Sequence, residues 1–363
     1  MSLTSDFVLP RTGIKIRNRA VLAAMTNKQS FEDGTLSDEE ISWLLRRADG
    51  GFGIITTAAS HVSPSGKSWE GEMGVWGDHQ LSRLSELANG IKERGSIGLV
   101  QIFHGGLRAP RSLTSAQPVS ASINLEKGVE EESRELLDSE IEDLIRDFGK
   151  AAKRCEQAGF DGVEIHGAHG YLISQFLGKR TNRRKDRWGG DLINRSLFLR
   201  EIIECVRENT SEEFLVCVRI SPEHDVGITI DESLELSKIL VEMNIDILHI
   251  SCWDIFSSAT DDLESKITIT SRFSDILENR IPLLTTGSIW NEEDGYFALS
   301  EGADLVGVAR VAIAHPDWAS KLGNSDYRPS RAPFSPEHLL DVELSPIFID
   351  YMRRWKGFVT DGK

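Results

Sequence analysis

Between Arg19 and Val311 short β-branched or apolar runs alternate without a break with longer amphipathic stretches, and this alternation restricts the fold more than any other feature. Strands are expected at residues 19–25, 53–59, 97–103, 161–166, 214–221, 247–252, 282–286 and 305–311. Strands and helices that take turns in this way build a parallel sheet with helical crossovers. Helix 37–49 opens on Ser37 and Glu40 in a capping-box pattern, helix 139–158 stops at Gly159, and others follow Asp78, Asp191, Asp231, Thr270 and Asn291. Eight such units suit an α/β fold of the (β/α)8 TIM barrel type, which needs about 250 residues. A doubly wound sheet is the alternative. The chain of 363 residues then leaves room for a long excursion after strand three, residues 104–138, and for a C-terminal tail. A loop of that length in a compact domain is usually a lid or a binding loop. No repeat beyond the alternation, no low-complexity segment and no Ser/Gly-rich linker interrupts the chain, so one domain over residues 1–363 is the simplest account.

Composition narrows the functional classes. With 40% hydrophobic and 27% charged residues the chain can bury a large core, and no apolar run approaches membrane-spanning length. The opening MSLTSDFVLPRTG has neither the basic start nor the apolar stretch of a secretory signal, so a cytoplasmic protein with no membrane partner is expected. A net charge of −16 repels polyanions, which makes nucleic acid an unlikely partner; a small-molecule substrate is the expected partner, with a homo-oligomer left open. Cys155, Cys205, Cys217 and Cys252 lie far apart, which argues against a zinc ribbon, a dithiol motif or an iron–sulfur cluster. The acid-rich stretch 126–143 reads as a solvated loop and helix start rather than a docking patch. The basic island of Lys179, Arg180, Arg183, Arg184, Lys185 and Arg187 beside Trp188 either accepts phosphates or pairs with the acidic surroundings.

Barrel chemistry sits at the C-terminal strand ends, and these ends are polar here. Strand one ends in Met25-Thr26-Asn27, strand two in Ala59-Ser60-His61, and strand three carries Gln101 and His104. Strand four runs into His166-Gly-Ala-His169-Gly-Tyr171, five reaches Arg219, and six stops at Cys252-Trp253-Asp254. Strands seven and eight end in Thr286-Gly287-Ser288 and Ala309-Arg310, where small residues and an arginine suit a phosphate, although a tight turn with a surface arginine would look the same. An arginine inside VCVRIS would be buried and must find an anion, an electron-rich acceptor or a carboxylate such as Glu164. Gln101 offers the donor and acceptor that a flat heteroaromatic ligand needs. His166, His169 and Glu164 are the material of a metal site, but the histidine pair straddles a strand end and a glycine turn rather than one helix face. The two imidazoles can instead donate to one substrate oxygen, with Tyr171 as proton donor, so no metal ligand is assigned.

The segment GVEIHGAHGYLISQFLGKRTNRRKDRWGGDLINR closely resembles the signature of the old yellow enzyme family of FMN-dependent NAD(P)H oxidoreductases. NRAVLAAMTN, HVSPSGK, QIFHGG, VCVRISP and GADLVGVAR follow in the family's order, so the resemblance runs from Asn18 to about Trp318. It implies a non-covalent FMN that lies beside Ala24, Met25 and Thr26, contacts Ala59, is gripped by Gln101 and meets Arg219 at its N1–O2 edge. Gly287, Ser288, Ala309 and Arg310 would hold its phosphate, His166 and His169 the substrate oxygen, and Tyr171 the proton. The implied activity is ping-pong reduction of α,β-unsaturated carbonyl compounds with NAD(P)H as reductant. A flavin-dependent dehydrogenase or demethylase, a metal-dependent barrel hydrolase or aldolase, and a ligand-binding barrel without turnover are the alternatives. The chain departs from the family at Ala24, where proline is frequent, in lacking a first-strand cysteine, at Ala309, where glycine is common, and at Trp188, a more usual tyrosine.

Overall fold

The computed structural model describes residues 2–360 except 130, 263 and 265. Eight parallel strands close into a barrel: β1 (Ala20–Leu22), β2 (Ile54–His61), β3 (Ile97–Phe103), β4 (Gly162–Gly167), β5 (Leu215–Ile220), β6 (Ile247–Ser251), β7 (Leu283–Thr286) and β8 (Leu305–Val308), with β8 returning to β1. The expected TIM barrel is therefore the fold, and the doubly wound alternative falls. Helices α1 (Asp38–Asp49), α2 (Leu81–Glu93), α3 (Asp138–Ala158), α4 (Leu197–Asn209), α5 (Ile230–Val241), α6 (Ile269–Leu277), α7 (Glu292–Ser300) and the short α8 (Arg310–Ala314) follow the strands in turn. Among the described residues no helix is long and apolar enough to cross a membrane.

Local chemistry sets the boundaries. Ser37 caps α1 by accepting from the Glu40 N–H, and Asn291 caps α7 through the Asp294 N–H. Gly159 ends α3 at φ 98°, a conformation that favours glycine. Helices α5 and α6 start earlier than expected because threonines one residue ahead of them, Thr229 and Thr268, provide the cap. Strand one was expected to run to Met25, yet the ladder ends at Leu22, with one further bond from the Ala23 N–H to the Val308 carbonyl. Strand eight was expected to run to Val311, but the chain turns at Ala309 and Arg310 already opens α8. Both departures free backbone at the barrel mouth.

The barrel interior is layered. Val21, Ile54, Leu99, Leu215, Cys217, Ile247, Leu284 and Leu305 fill its N-terminal half, together with Leu9 and Ile16. These last two come from an antiparallel hairpin of Phe7–Val8 with Lys15–Ile16 that closes that end. Outside the sheet a larger apolar cluster joins strands to helices. The C-terminal tail is part of it: Trp43 of α1 meets Phe348 edge-on at 5.3 Å, and the fully buried Arg47 donates to the carbonyls of Ala312, Ile313 and Val342. Residues 104–138 contain a turn at Gly106–Arg108, a short helix at Arg111–Thr114 and a parallel pairing of Val119–Ser120 with Arg134–Glu135.

Candidate active site

Alternation along the strands sends every second side chain inward, and above the apolar layer these side chains become polar. Gln101 of β3 donates from Nε2 to Glu164 Oε1 of β4 at 2.7 Å. Glu164 Oε2 lies 2.6 Å from His249 Nδ1 of β6, and His249 Nε2 lies 2.6 Å from Thr286 Oγ1 of β7. Cys217 of β5 adds an S–H contact to the same carboxylate at 3.4 Å. Burial presses the Glu164 carboxyl upward, but His249 and the charge of Arg219 outweigh it and hold it down at about 2. Burial lowers the His249 pKa against the opposing pull of the Glu164 carboxylate.

Arg219 sits beside this belt in register with both His166 and His249. An ion pair with Glu164 was one expectation. The structure gives none, because Gln101 and His249 occupy the carboxylate oxygens. Arg219 Nη2 donates instead to Ser251 Oγ at 2.9 Å, and its Nε is buried without a partner. A cation so placed calls for an acceptor from outside the chain. The structure does not bring ligand atoms of His166, His169 and Glu164 together as a group. Among the described residues the metal-ligand atoms that converge belong to Glu164, Cys217 and His249, all within 4.8 Å, and they already bond to one another.

At the mouth, the ring centroids of His166 and His169 are 5.0 Å apart and that of Tyr171 is 5.3 Å from His166. Phe103 and Trp69 stand 5.0 and 6.2 Å from the Tyr171 ring. Burial, and after it the neighbouring positive charge, keeps both histidines well below their ordinary pKa, hence neutral near pH 7. Burial pushes the Tyr171 phenol up to about 12. His166 Nδ1 is buried without a partner. His169 takes a left-handed φ of 63°, and its backbone is held by Ser221 Oγ on the N–H and Arg108 on the carbonyl. Gly170 follows at φ 74°, where a Cβ would come within 2.7 Å of His224. Arg108 belongs to the excursion and lies over the Tyr171 ring at 5.6 Å, so that segment reaches the site.

The remaining expected residues occupy the rim. Ala24, Met25 and Thr26 are half-buried in the irregular backbone after β1. A register shift between Thr56 and Ala59 precedes the pairing of Ala59 with Gln101, a bulge of the kind that re-aims residues beside active sites. A Cβ on Gly287 would meet the Cys252 carbonyl oxygen at 2.4 Å, and Ser288 has φ 56°. Arg310 is exposed and has no ion pair among the described residues. The unpartnered Arg219 Nε and the exposed Arg310 fit the isoalloxazine and phosphate of the FMN that the sequence implies, and the buried His166 Nδ1 is left for a further acceptor.

Four members of the basic island pair with carboxylates, Lys179 with Glu232, Arg180 with Glu126, Arg184 with Asp186 and Arg187 with Asp138, while Arg183 donates to Asn124 Oδ1 and to carbonyls. The acidic stretch answers from its side, with Glu131 on Arg111 and Glu140 on Arg134. His249, Ser251 and Arg108 were not singled out by the sequence reading. Inward alternation along 247, 249 and 251 is the signal that would have found the first two.

A family model described as the NADH:flavin oxidoreductase / NADH oxidase family matches residues 12–328. The chain is 36% identical over 318 residues to the probable NADH-dependent flavin oxidoreductase YqiG of Bacillus subtilis (strain 168), covering 86% of this chain and 85% of that protein. It is 32% identical over 365 residues to the NADH:acrylate oxidoreductase of Vibrio harveyi, covering 97% of this chain but only 36% of that protein. Among solved structures, the old yellow enzyme homologue from Zymomonas mobilis shares the fold with a TM-score of 0.83 at 24% identity, over 94% of this chain and 99% of that one. FMN is the cofactor and NAD(P)H the reductant. Sequence and fold thus agree that the chain belongs to the old yellow enzyme family of NAD(P)H:flavin oxidoreductases.

Proposed function

We propose that the chain reduces the activated C=C bond of α,β-unsaturated carbonyl compounds in a ping-pong cycle, with NAD(P)H and the acceptor visiting one mouth in turn. The observation that carries this reading is the gathering of two neutral imidazoles and a phenol, His166, His169 and Tyr171, at the rim above Arg219. Bound FMN supplies the ability to take up hydride from NAD(P)H and to pass it to an electron-poor carbon. The chain does the rest. Ala24, Met25, Thr26 and Ala59 line the ring, Gln101 binds its pyrimidine edge, and Arg219 faces the edge where negative charge collects. Gly287, Ser288, Ala309 and Arg310 hold the phosphate. His166 and His169 donate to the carbonyl oxygen, and the developing negative charge on that oxygen strengthens both bonds. Tyr171 keeps its proton at every working pH and hands it to the α-carbon, which as a developing carbanion is far more basic than a phenolate. The Vibrio harveyi relative is named for an unsaturated acid, acrylate, although this chain spans 36% of it.

The test separates the half-reactions by stopped flow. Tyr171→Phe removes one hydroxyl and should leave flavin reduction by NAD(P)H near wild type. Reoxidation by 2-cyclohexenone should slow roughly 10²–10⁴-fold, the span a positioned acid supplies. Equal slowing of both halves, or no slowing of the second, removes Tyr171 as the proton donor.

A further inference from the structure

Ser251 stands at the end of β6 between two groups that belong to different parts of the site. Arg219 Nη2 donates to its Oγ at 2.9 Å, and His169 Nε2 lies 2.7 Å from the same oxygen. A guanidinium can only donate, so Oγ is an acceptor towards Arg219. The hydroxyl has one hydrogen, and among the described residues its only other partner is His169 Nε2. Were Nε2 itself protonated, both lone pairs of Oγ would be taken and the hydroxyl hydrogen would have no acceptor among the described residues. The arrangement in which the hydroxyl, the guanidinium and Nε2 are all satisfied by one another has Ser251 donating to an unprotonated Nε2. A neutral ring then carries its proton on Nδ1, the nitrogen for which the described residues offer no partner and which remains for a ligand. Neutrality itself is favoured by burial and by the Arg219 charge.

We infer that Ser251 is a positioning residue that fixes His169 in its Nδ1–H tautomer, so that Nδ1 donates to the substrate oxygen. The backbone of His169 is already clamped, by Ser221 on its N–H at 3.0 Å and by Arg108 on its carbonyl at 2.7 Å, which leaves the ring's proton as the one variable. Ser251 sets it. The same hydroxyl ties the histidine to Arg219, so the group that faces the substrate and the group that faces the cofactor share one hydrogen-bond partner. Alternation along ILHIS places Ser251 on the inward face, but the strand sequence does not disclose that it meets His169 and Arg219.

The inference rests on the substrate role proposed for His169, and the experiment keeps the two apart. Two-bond ¹H–¹⁵N spectra of the imidazole rings are recorded on FMN-loaded wild type, Ser251→Ala and Ser251→Thr, with the His169 signals assigned from a His169→Gln sample. Wild type and the threonine variant should show Nδ1–H. The alanine variant should move towards Nε2–H, which free imidazole side chains favour. Binding of p-hydroxybenzaldehyde, a phenolate probe followed by the flavin absorbance, should weaken about tenfold or more in Ser251→Ala and recover in Ser251→Thr. An Nε2–H ring in the wild type overturns the inference, as does an unchanged tautomer or an unchanged probe affinity in Ser251→Ala. A wild-type Nδ1 signal that stays put when the probe saturates the protein overturns the substrate role of His169, and is distinguished by a tautomer that is still Nδ1–H.

Discussion

The cations of this site differ in what they already hold. Arg219 is buried, bonded through one nitrogen to Ser251 and unpartnered at another, whereas Arg310 is exposed and free of carboxylates among the described residues. That contrast divides the labour between ring and phosphate. Replacing Arg310 by alanine removes a charge-assisted contact of about 1.5–3 kcal/mol, so FMN should bind about ten- to a hundredfold more weakly. Fluorescence titration of apoprotein with FMN measures this, and an unchanged dissociation constant would show that the phosphate lies elsewhere. The strand ends also show what a sequence can disclose about residues. Arg219 was legible as a buried cation because VCVRIS has no other polar residue before its serine. Its partner was not, because choosing between Glu164 and Ser251 requires knowing that Gln101 and His249 reach Glu164 first.

At the scale of elements, every expected strand is present and the largest errors lie at the C-terminal ends of strands one and eight. The sequence of β3 defines residues 97–103 to the residue, because Gly95 and the His104-Gly turn bracket an apolar run. Strands one and eight were read too long, since Ala24-Met25 and Ala309–Val311 are apolar enough to continue a strand while tertiary structure bends them to line a site. The excursion was legible by its length alone. Its content was not, because Arg108 acquires a role only when the chain folds back over Tyr171 and the His169 carbonyl. The excursion should therefore govern which acceptors are accepted rather than whether FMN binds. A variant in which residues 111–133 are replaced by a short glycine–serine link should keep its flavin content while its relative kcat/KM values across enones change. A folded but flavin-free variant would make the excursion part of the cofactor site.

For the molecule as a whole, the buried histidines tie stability to acidity. His104 at the end of β3 is the clearest case: burial alone lowers its pKa from 6.5 to about 3, and its Nδ1 accepts from the Gly106 N–H while Nε2 faces Ser65 Oγ. Between pH 6.5 and about 3 the unfolded chain carries a proton at this position that the folded chain refuses, so stability falls as the pH falls through that window. The slope from this one group is about 1.4 kcal/mol per pH unit. His104→Asn, which can still accept from Gly106, should flatten the pH dependence of urea unfolding by about that slope, and an identical slope would place the acid sensitivity in other groups.

The hairpin of Phe7–Val8 and Lys15–Ile16 lies at the opposite end of the barrel from the polar strand ends, where Leu9 and Ile16 pack into the apolar layer. With the strand side chains of the apolar layer packed above it, the molecule is a vessel with one opening rather than a corridor. On the proposed cycle, reductant and acceptor would share that one door, and the closed far end would impose their order as much as the chemistry at the near one.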